Sequence, residues 1–284
     1  MAADPGLVHF LRYGGDRSRL GRLLEASGLT GCISDWRSRR KAGQGSDACT
    51  ILIKPNIVND SPPPITTPCW VVEEIAAFLE ESVPGCRIVI ADGTGEVDRY
   101  TMELFRLHGY LDALAGCEFI DLNLEPCRYV PIQGGRRWDG LYLPEILFHA
   151  FVISVPVLKA HTLAGVTLSM KNMIGACPPE HYQEGGHWKK SAFHTRIQAS
   201  IFDLNLARSP DFAVLDATVG MAESHLGGPT CTPPVDILAA GSDPAAMDAY
   251  GAGLLGLRWK DIGHIRMADG IIGKASNFKV LEAA

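Results

Sequence analysis

Residues 151–155, Phe-Val-Ile-Ser-Val, place the tightest constraint on this chain. Apolar and β-branched side chains occupy both faces of any strand built from them, so such a strand needs cover on both sides. Pro156 stops it, because proline has no N–H to offer a central ladder. Similar short runs occur at 50–53, 87–91, 118–122, 212–215 and 235–240, separated by stretches of helical spacing such as Val71, Val72, Ile75, Phe78 and Leu79. Strands alternating with amphipathic helices predict an α/β fold: a layered, mostly parallel sheet with helices on both faces. One β-hairpin insertion is expected over 128–143, around Gly134-Gly135. The 284 residues suit a single domain with its core at about 50–270, after an N-terminal helix (17–27) and loop within 1–48.

Beyond Pro156 lies the densest polar constellation in the chain: Lys159, His161, Thr162, Gly165, Lys171, Asn172 and Gly175. In open α/β sheets, ligands sit outside the carboxyl ends of the strands. Lys159 and His161 are two apart, so an extended segment points them the same way. From about Ala164 the spacing of Val166, Met170, Met173 and Ile174 predicts a helix. Gly165 near its start would leave backbone N–H groups open to an anion. Two lysines, a histidine and a helix start suit a phosphate, a carboxylate or an enolate. A lysine at a strand end is ordinarily solvated and a lone histidine ordinarily structural, but four polar residues in one crossover read as a site.

Other strand ends repeat the pattern. Lys54 and Asn56 follow 50–53, Asp92 follows 87–91, and Asp216 follows 212–215. The loop 54–68, stiffened by Pro62, Pro63 and Pro64, is too long for a plain strand-to-helix turn. Thr67 suits a helix N-cap and Pro68 the first helical position. Loop 181–194 carries His181, His187 and His194 at spacings that match no familiar metal motif, and reads as a lid or as a set of ligands. Lys54, Asn56, Thr67, Asp92, Lys159, Asn172 and Asp216 are the expected ligand-binding residues. His161, His194 and Lys171 are the expected catalytic ones, and no metal ligands are assigned. Asp248, in a helix of small residues, requires a buried partner, expected to be a lysine of the site. The G-x-G-x-x-G match at 251–256 follows a helical stretch instead of a strand and is rejected as a dinucleotide loop.

Several classes are excluded. The formal net charge of −6 gives no field for nucleic acid or an anionic membrane. No apolar run approaches the ~20 residues of a membrane span, and no signal peptide is visible, so a cytoplasmic protein is expected. Eight scattered cysteines with no C-x-x-C lack zinc-ribbon or ferredoxin spacing, and reduced thiols are expected. The basic run 36–41 reads as a solvated loop within the connection 34–48, 259–268 as a last helix, and 277–284 as a tail.

The motifs Ile53-Lys54-Pro55-Asn56, Thr67-Pro68, Val155-Pro156-x-x-Lys159-x-His161, Lys171-Asn172-x-x-Gly175, His194, Asp216, Gly228-Pro229 and Asp243-Pro244-x-x-x-Asp248 appear in the order of one family. In them the chain resembles the domain of unknown function 362 family over nearly its whole core. Many members carry a fused ferredoxin-like iron–sulfur segment; this chain has no clustered cysteines, so that cofactor does not carry over. More distantly, Lys159-x-His161-x-x-Ala164-Gly165 with Gly175 is similar to the N-terminal domain of nickel-pincer lactate racemases. That likeness implies a metal or a nucleotide-derived cofactor as an option. The reading is an enzyme acting on, or with, a small anionic molecule. The alternatives are a metal- or cofactor-binding redox protein with a partner protein, and a non-catalytic ligand-binding module.

Overall fold

The computed structural model describes residues 6–44 and 49–283. Among them are twelve strands: β1 (Leu7–Arg12), β2 (Thr50–Lys54), β3 (Arg87–Asp92), β4 (Glu118–Asp121), β5 (Cys127–Pro131), β6 (Gly140–Pro144), β7 (Phe151–Ser154), β8 (Val157–His161), β9 (Gly165–Thr167), β10 (Phe212–Met221), β11 (Ile237–Gly241) and β12 (Lys279–Glu282). The main sheet runs β12-β1-β11-β10-β7-β2-β3-β4, with the β8–β9 hairpin attached through β8 to β10. From β10 through β7, β2 and β3 to β4 every pairing is parallel. On the other side of β10 the sheet turns antiparallel, through β11 to β1. The hairpin β5–β6 stands apart as the expected insertion.

Strand side chains alternate, and the core divides accordingly. Ile51, Ile53, Ile90 and Ile153 face a layer formed by helices Arg19–Ala26, Leu29–Gln44, Cys69–Ser82 and Thr101–Leu107. Leu52, Val89 and Val152 face the opposite way, toward the β5–β6 hairpin and Phe193. Ala213 and Leu215 join that second face and meet helices Ile197–Ala207, Pro244–Leu254 and Gly263–Ala268. Helices therefore cover both faces, as the doubly buried strands demand.

Several local expectations are corrected. The connection expected at 34–48 is instead part of helix Leu29–Gln44, while 45–48 lies outside the described residues. Leu29, Cys32, Ile33 and Trp36 are all buried, at helical spacing, and the basic run is that helix's other side. Arg40 lies over the Trp36 ring, 4.9 Å from its centroid. Residues Lys279–Glu282 are no tail: they pair in parallel with β1, itself unforeseen. The last helix divides into a 3-10 turn, Trp259–Asp261, and the helix Gly263–Ala268. Cys49 and Cys86 form a disulfide across the starts of β2 and β3, so not every thiol is reduced; the other six cysteines are free.

Asp248 is fully buried, but its partner is not a lysine. Its carboxylate accepts the Ser169 N–H at 2.7 Å, the Ser169 hydroxyl at 2.5 Å and the Met170 N–H at 3.1 Å. It thereby anchors the short helix Ser169–Asn172. No helix among the described residues is long and apolar enough to cross a membrane.

Candidate functional site

Because β2 and β3 are parallel neighbours paired Ile53 to Ile90, they deliver Lys54 and Asp92 to the same edge. Both side chains are buried, with Lys54 Nζ 2.7 Å from Asp92 Oδ1. Every remaining polar atom of this pair is used. Asp92 accepts the Ile57 N–H at 2.7 Å and the Gly93 N–H at 2.8 Å. Lys54 also donates to Asn172 Oδ1 at 3.2 Å, while Asn172 Nδ2 donates to the Lys54 carbonyl and to Ser154 Oγ. The chain at Gly175 passes so close that a Cβ there would stand 2.3 Å from Asp92 Oδ1 and 2.6 Å from Lys54 Nζ. Only glycine fits that approach.

Above this floor is a cavity of about 110 Å³. Part of its wall comes from the segment expected to be helical, which opens as the strand Gly165–Thr167 of a hairpin and then is helical, as an α-helix over Ser169–Asn172 and a 3-10 turn over Met173–Ala176. After Pro156 the chain re-enters the sheet as β8, so Lys159 and His161 do share a face and both line the cavity. Gly165, at φ +81°, opens β9 instead of a helix, so the expected anion site at a helix start is absent there. Lys159 is fully buried and donates to Asn56 Oδ1 and the Ile65 carbonyl, both at 2.5 Å. Burial, and then the nearby Lys171 charge, hold its pKa well below that of an ordinary lysine.

Lys171 is half-buried and faces the cavity, with no hydrogen-bond acceptor among the described residues. Burial, and then Lys54, bring its pKa down to about 8. Lys190, from loop 181–194, donates to Asn123 Oδ1 and the Cys177 carbonyl, and burial lowers it to about 8 as well. His161 Nδ1 accepts the N–H groups of Leu163 and Ala164, each at 3.1 Å. The neutral ring therefore carries its hydrogen on Nε2. Burial first, then Lys171 and the neighbouring histidines, push His161 down to about 2. His225 stacks on it with ring centroids 3.9 Å apart. His225 Nδ1 and Thr167 Oγ1 are buried without a partner, and both residues line the cavity.

Of the ten residues singled out in the sequence, Asn56, Asp92, Lys159, His161, Lys171, Asn172 and His194 line this cavity, His194 at its exposed rim. Lys54 lies beneath it. Thr67 and Asp216 do not reach it. The Thr67 hydroxyl caps no helix: it donates to the Val155 carbonyl at 2.7 Å and accepts the Asn56 N–H at 2.9 Å, bracing the loop that carries Asn56. Asp216 is corrected because β10 continues to Met221; its carboxylate turns back onto the Thr218 N–H and hydroxyl at 2.9 and 2.7 Å. Trp188, Lys190 and His225 line the cavity but were not singled out. Lys190 is disguised by its neighbour Lys189 in a polar loop, and His225 stands alone with no motif around it.

Loop 181–194 closes one side of the cavity. Trp188 bridges Glu96, and the Lys189 N–H donates to the Gly95 carbonyl at 2.7 Å. His181 instead stacks on Tyr142, and His187 is exposed. Among the described residues, no group of three or more His, Cys, Asp or Glu side chains is arranged to hold a metal ion.

The model of the family described as Domain of unknown function (DUF362) matches residues 51–253. This chain belongs to the DUF362 family. A curated relative, a thylakoid-associated protein of Synechocystis, is 26% identical over 204 residues, covering 70% of this chain and 60% of its own. Among solved structures, the lactate racemase apoprotein from Thermoanaerobacterium thermosaccharolyticum is similar in fold, with a TM-score of 0.52 at 12% identity. That match covers 92% of this chain and 58% of the racemase. The DUF362 chain thus spans about 60% of the length of each protein it matches.

The cavity of this DUF362 chain is small and opens to solvent. At about 110 Å³ it is smaller than the roughly 150 Å³ in which benzene fits.

Proposed function

We propose that this cleft is the active site of an enzyme acting on a small anion. One observation carries the reading. Lys159, Lys171 and Lys190 converge on a small cavity whose one lining carboxylate among the described residues, Asp92, is already paired with Lys54. Burying amines without counter-charge is costly, and a bound carboxylate or phosphate supplies the missing charge. In this reading Lys159 and Lys171 hold the anion. The Nε2–H of His161 donates a neutral hydrogen bond, and His194, at the rim, exchanges a proton with solvent. Asn172 serves by fixing Lys54.

Calorimetric titration of the whole chain with oxalate and with inorganic phosphate tests the reading. Saturable binding to wild type is expected, with affinity falling at least about tenfold, or ~1.4 kcal/mol, in Lys159→Met. Absence of binding by wild type, or equal affinity in the variant, overturns it.

A further inference from the structure

Four lysines gather at this site, and three of them are committed. Lys54 is ion-paired to Asp92. Lys159 and Lys190 each donate to a side-chain amide and a backbone carbonyl, and neither is more than 3% exposed. Two of the three N–H groups of each ammonium are thereby committed, which leaves one to face an anion and holds the nitrogen in place as a donor. Lys171 differs on each count: it has no acceptor among the described residues, no carboxylate beside it, and its half-buried side chain lines the cavity. An anchoring lysine is ordinarily fixed by its surroundings, whereas a nucleophilic one needs a free amine facing the ligand.

We propose that Lys171 captures a small anionic aldehyde or ketone in this cavity as an imine. The inference rests on the anion-binding reading above and names the substrate class. The Lys171 nitrogen bonds to the carbonyl carbon, and the carbon–oxygen π pair moves to oxygen. Two protons then leave nitrogen in turn and depart with that oxygen as water, leaving a C=N bond. No oxidant or further reactant is needed. The surroundings suit each stage. Burial, and then the neighbouring Lys54 charge, hold Lys171 down to about 8, so free amine is present near neutrality. His161, its Nδ1 occupied by two backbone N–H groups, presents Nε2–H to polarise the carbonyl oxygen. Lys159 supplies charge for the anionic end, and exposed His194 relays protons.

The test is borohydride trapping on the full wild-type chain. Protein near neutral pH is incubated with glyoxylate, reduced and mapped by peptide mass. Acetaldehyde serves as a carbonyl without an anion, and oxalate as an anion without an aldehyde. The expected result is one adduct, on Lys171, forming at least about tenfold faster than on exposed lysines. Acetaldehyde should label poorly, oxalate should protect, and Lys171→Gln and Lys171→Arg should both lose the adduct. If oxalate binds while adducts are absent or spread over exposed lysines, the imine is overturned and the anion site survives. If oxalate does not bind and acetaldehyde labels Lys171 as well as glyoxylate, the anionic substrate class falls. If neither binding nor trapping occurs, both readings fall.

Discussion

Lys54 and Lys171 lie within one site, and the protein treats them in opposite ways. Around Lys54, Asp92, Asn172 and the Pro55 carbonyl account for the ammonium, and Gly175 closes over the pair with no space to spare. Around Lys171 the walls carry unmet groups: its amine has no acceptor among the described residues, and Thr167 Oγ1 and His225 Nδ1 on the same walls have no partner. The floor is finished as a protein core is finished. The walls are left incomplete in a manner that a ligand would complete, and unmet polar atoms in a native structure call for such an explanation. The difference separates residues that hold the fold from residues that serve the occupant.

Breaking the floor should give the largest effect. Asp92→Ala leaves the Lys54 charge buried and alone, and is expected to cost about 3–5 kcal/mol in urea unfolding. Replacing both members with apolar residues, Lys54→Met with Asp92→Leu, should restore part of that stability, the remainder being lost because the Ile57 and Gly93 N–H groups no longer have an acceptor. An Asp92→Ala chain as stable as wild type would remove the distinction between floor and wall. Gly175→Ala comes next, at about 1–3 kcal/mol, since its Cβ overlaps both charged atoms and the packed pair has nowhere to move.

His161 gives a smaller, pH-dependent effect. Its folded pKa, about 2, lies below the unfolded value of 6.5. Its stabilisation is therefore complete above pH 6.5 and is lost as the pH falls below that value, because the unfolded chain takes up the proton first. Urea midpoints measured downward from neutral pH should decline, with His161→Gln reducing the slope by about 1.4 kcal/mol per pH unit. A slope unchanged by that variant would show that the imidazole is not held neutral. Smallest in cost, Lys171→Gln breaks no protein contact and should lose no stability; near neutral pH it should gain some, because burial and then Lys54 hold the folded pKa at about 8, below the ordinary 10.5, so the unfolded chain binds that proton more tightly. The same variant should lose oxalate affinity in calorimetry. A large stability loss would place Lys171 with the floor.

The floor was also the more legible part. Residues 50–53, 87–91 and 151–155 are continuous apolar runs, and parallel pairing places whatever follows them at one edge, so Lys54 and Asp92 could be read directly. The walls were harder. In Val157-Leu158-Lys159-Ala160-His161 the lysine and histidine interrupt the apolar pattern, and the strand is secured by pairing with β10 and β9, partners remote from local propensity. The helical spacing read into Val166, Met170 and Met173 is met by a strand at Val166, a short α-helix at Met170 and a 3-10 turn at Met173. Asp216 misled because the apolar run ends at Leu215 while the strand continues six residues further, through Met221. His225 reaches the cavity only through the stacking of its ring on His161, which no spacing rule encodes.

The position of β1 carries a consequence for synthesis. This strand, Leu7–Arg12, leaves the ribosome early, yet its two partners are β11, Ile237–Gly241, and β12, Lys279–Glu282. Parallel strands β2, β3, β4 and β7 can assemble among themselves while the first strand has neither neighbour. Contacts this distant along the chain are slow to form because loop closure precedes any gain from pairing. During translation Val8 and Leu11, both buried in the finished sheet, must therefore wait with bare apolar surface. Of the described strands, the first in the chain is among the last to find its place, and until Ile237 emerges it has no strand to pair with.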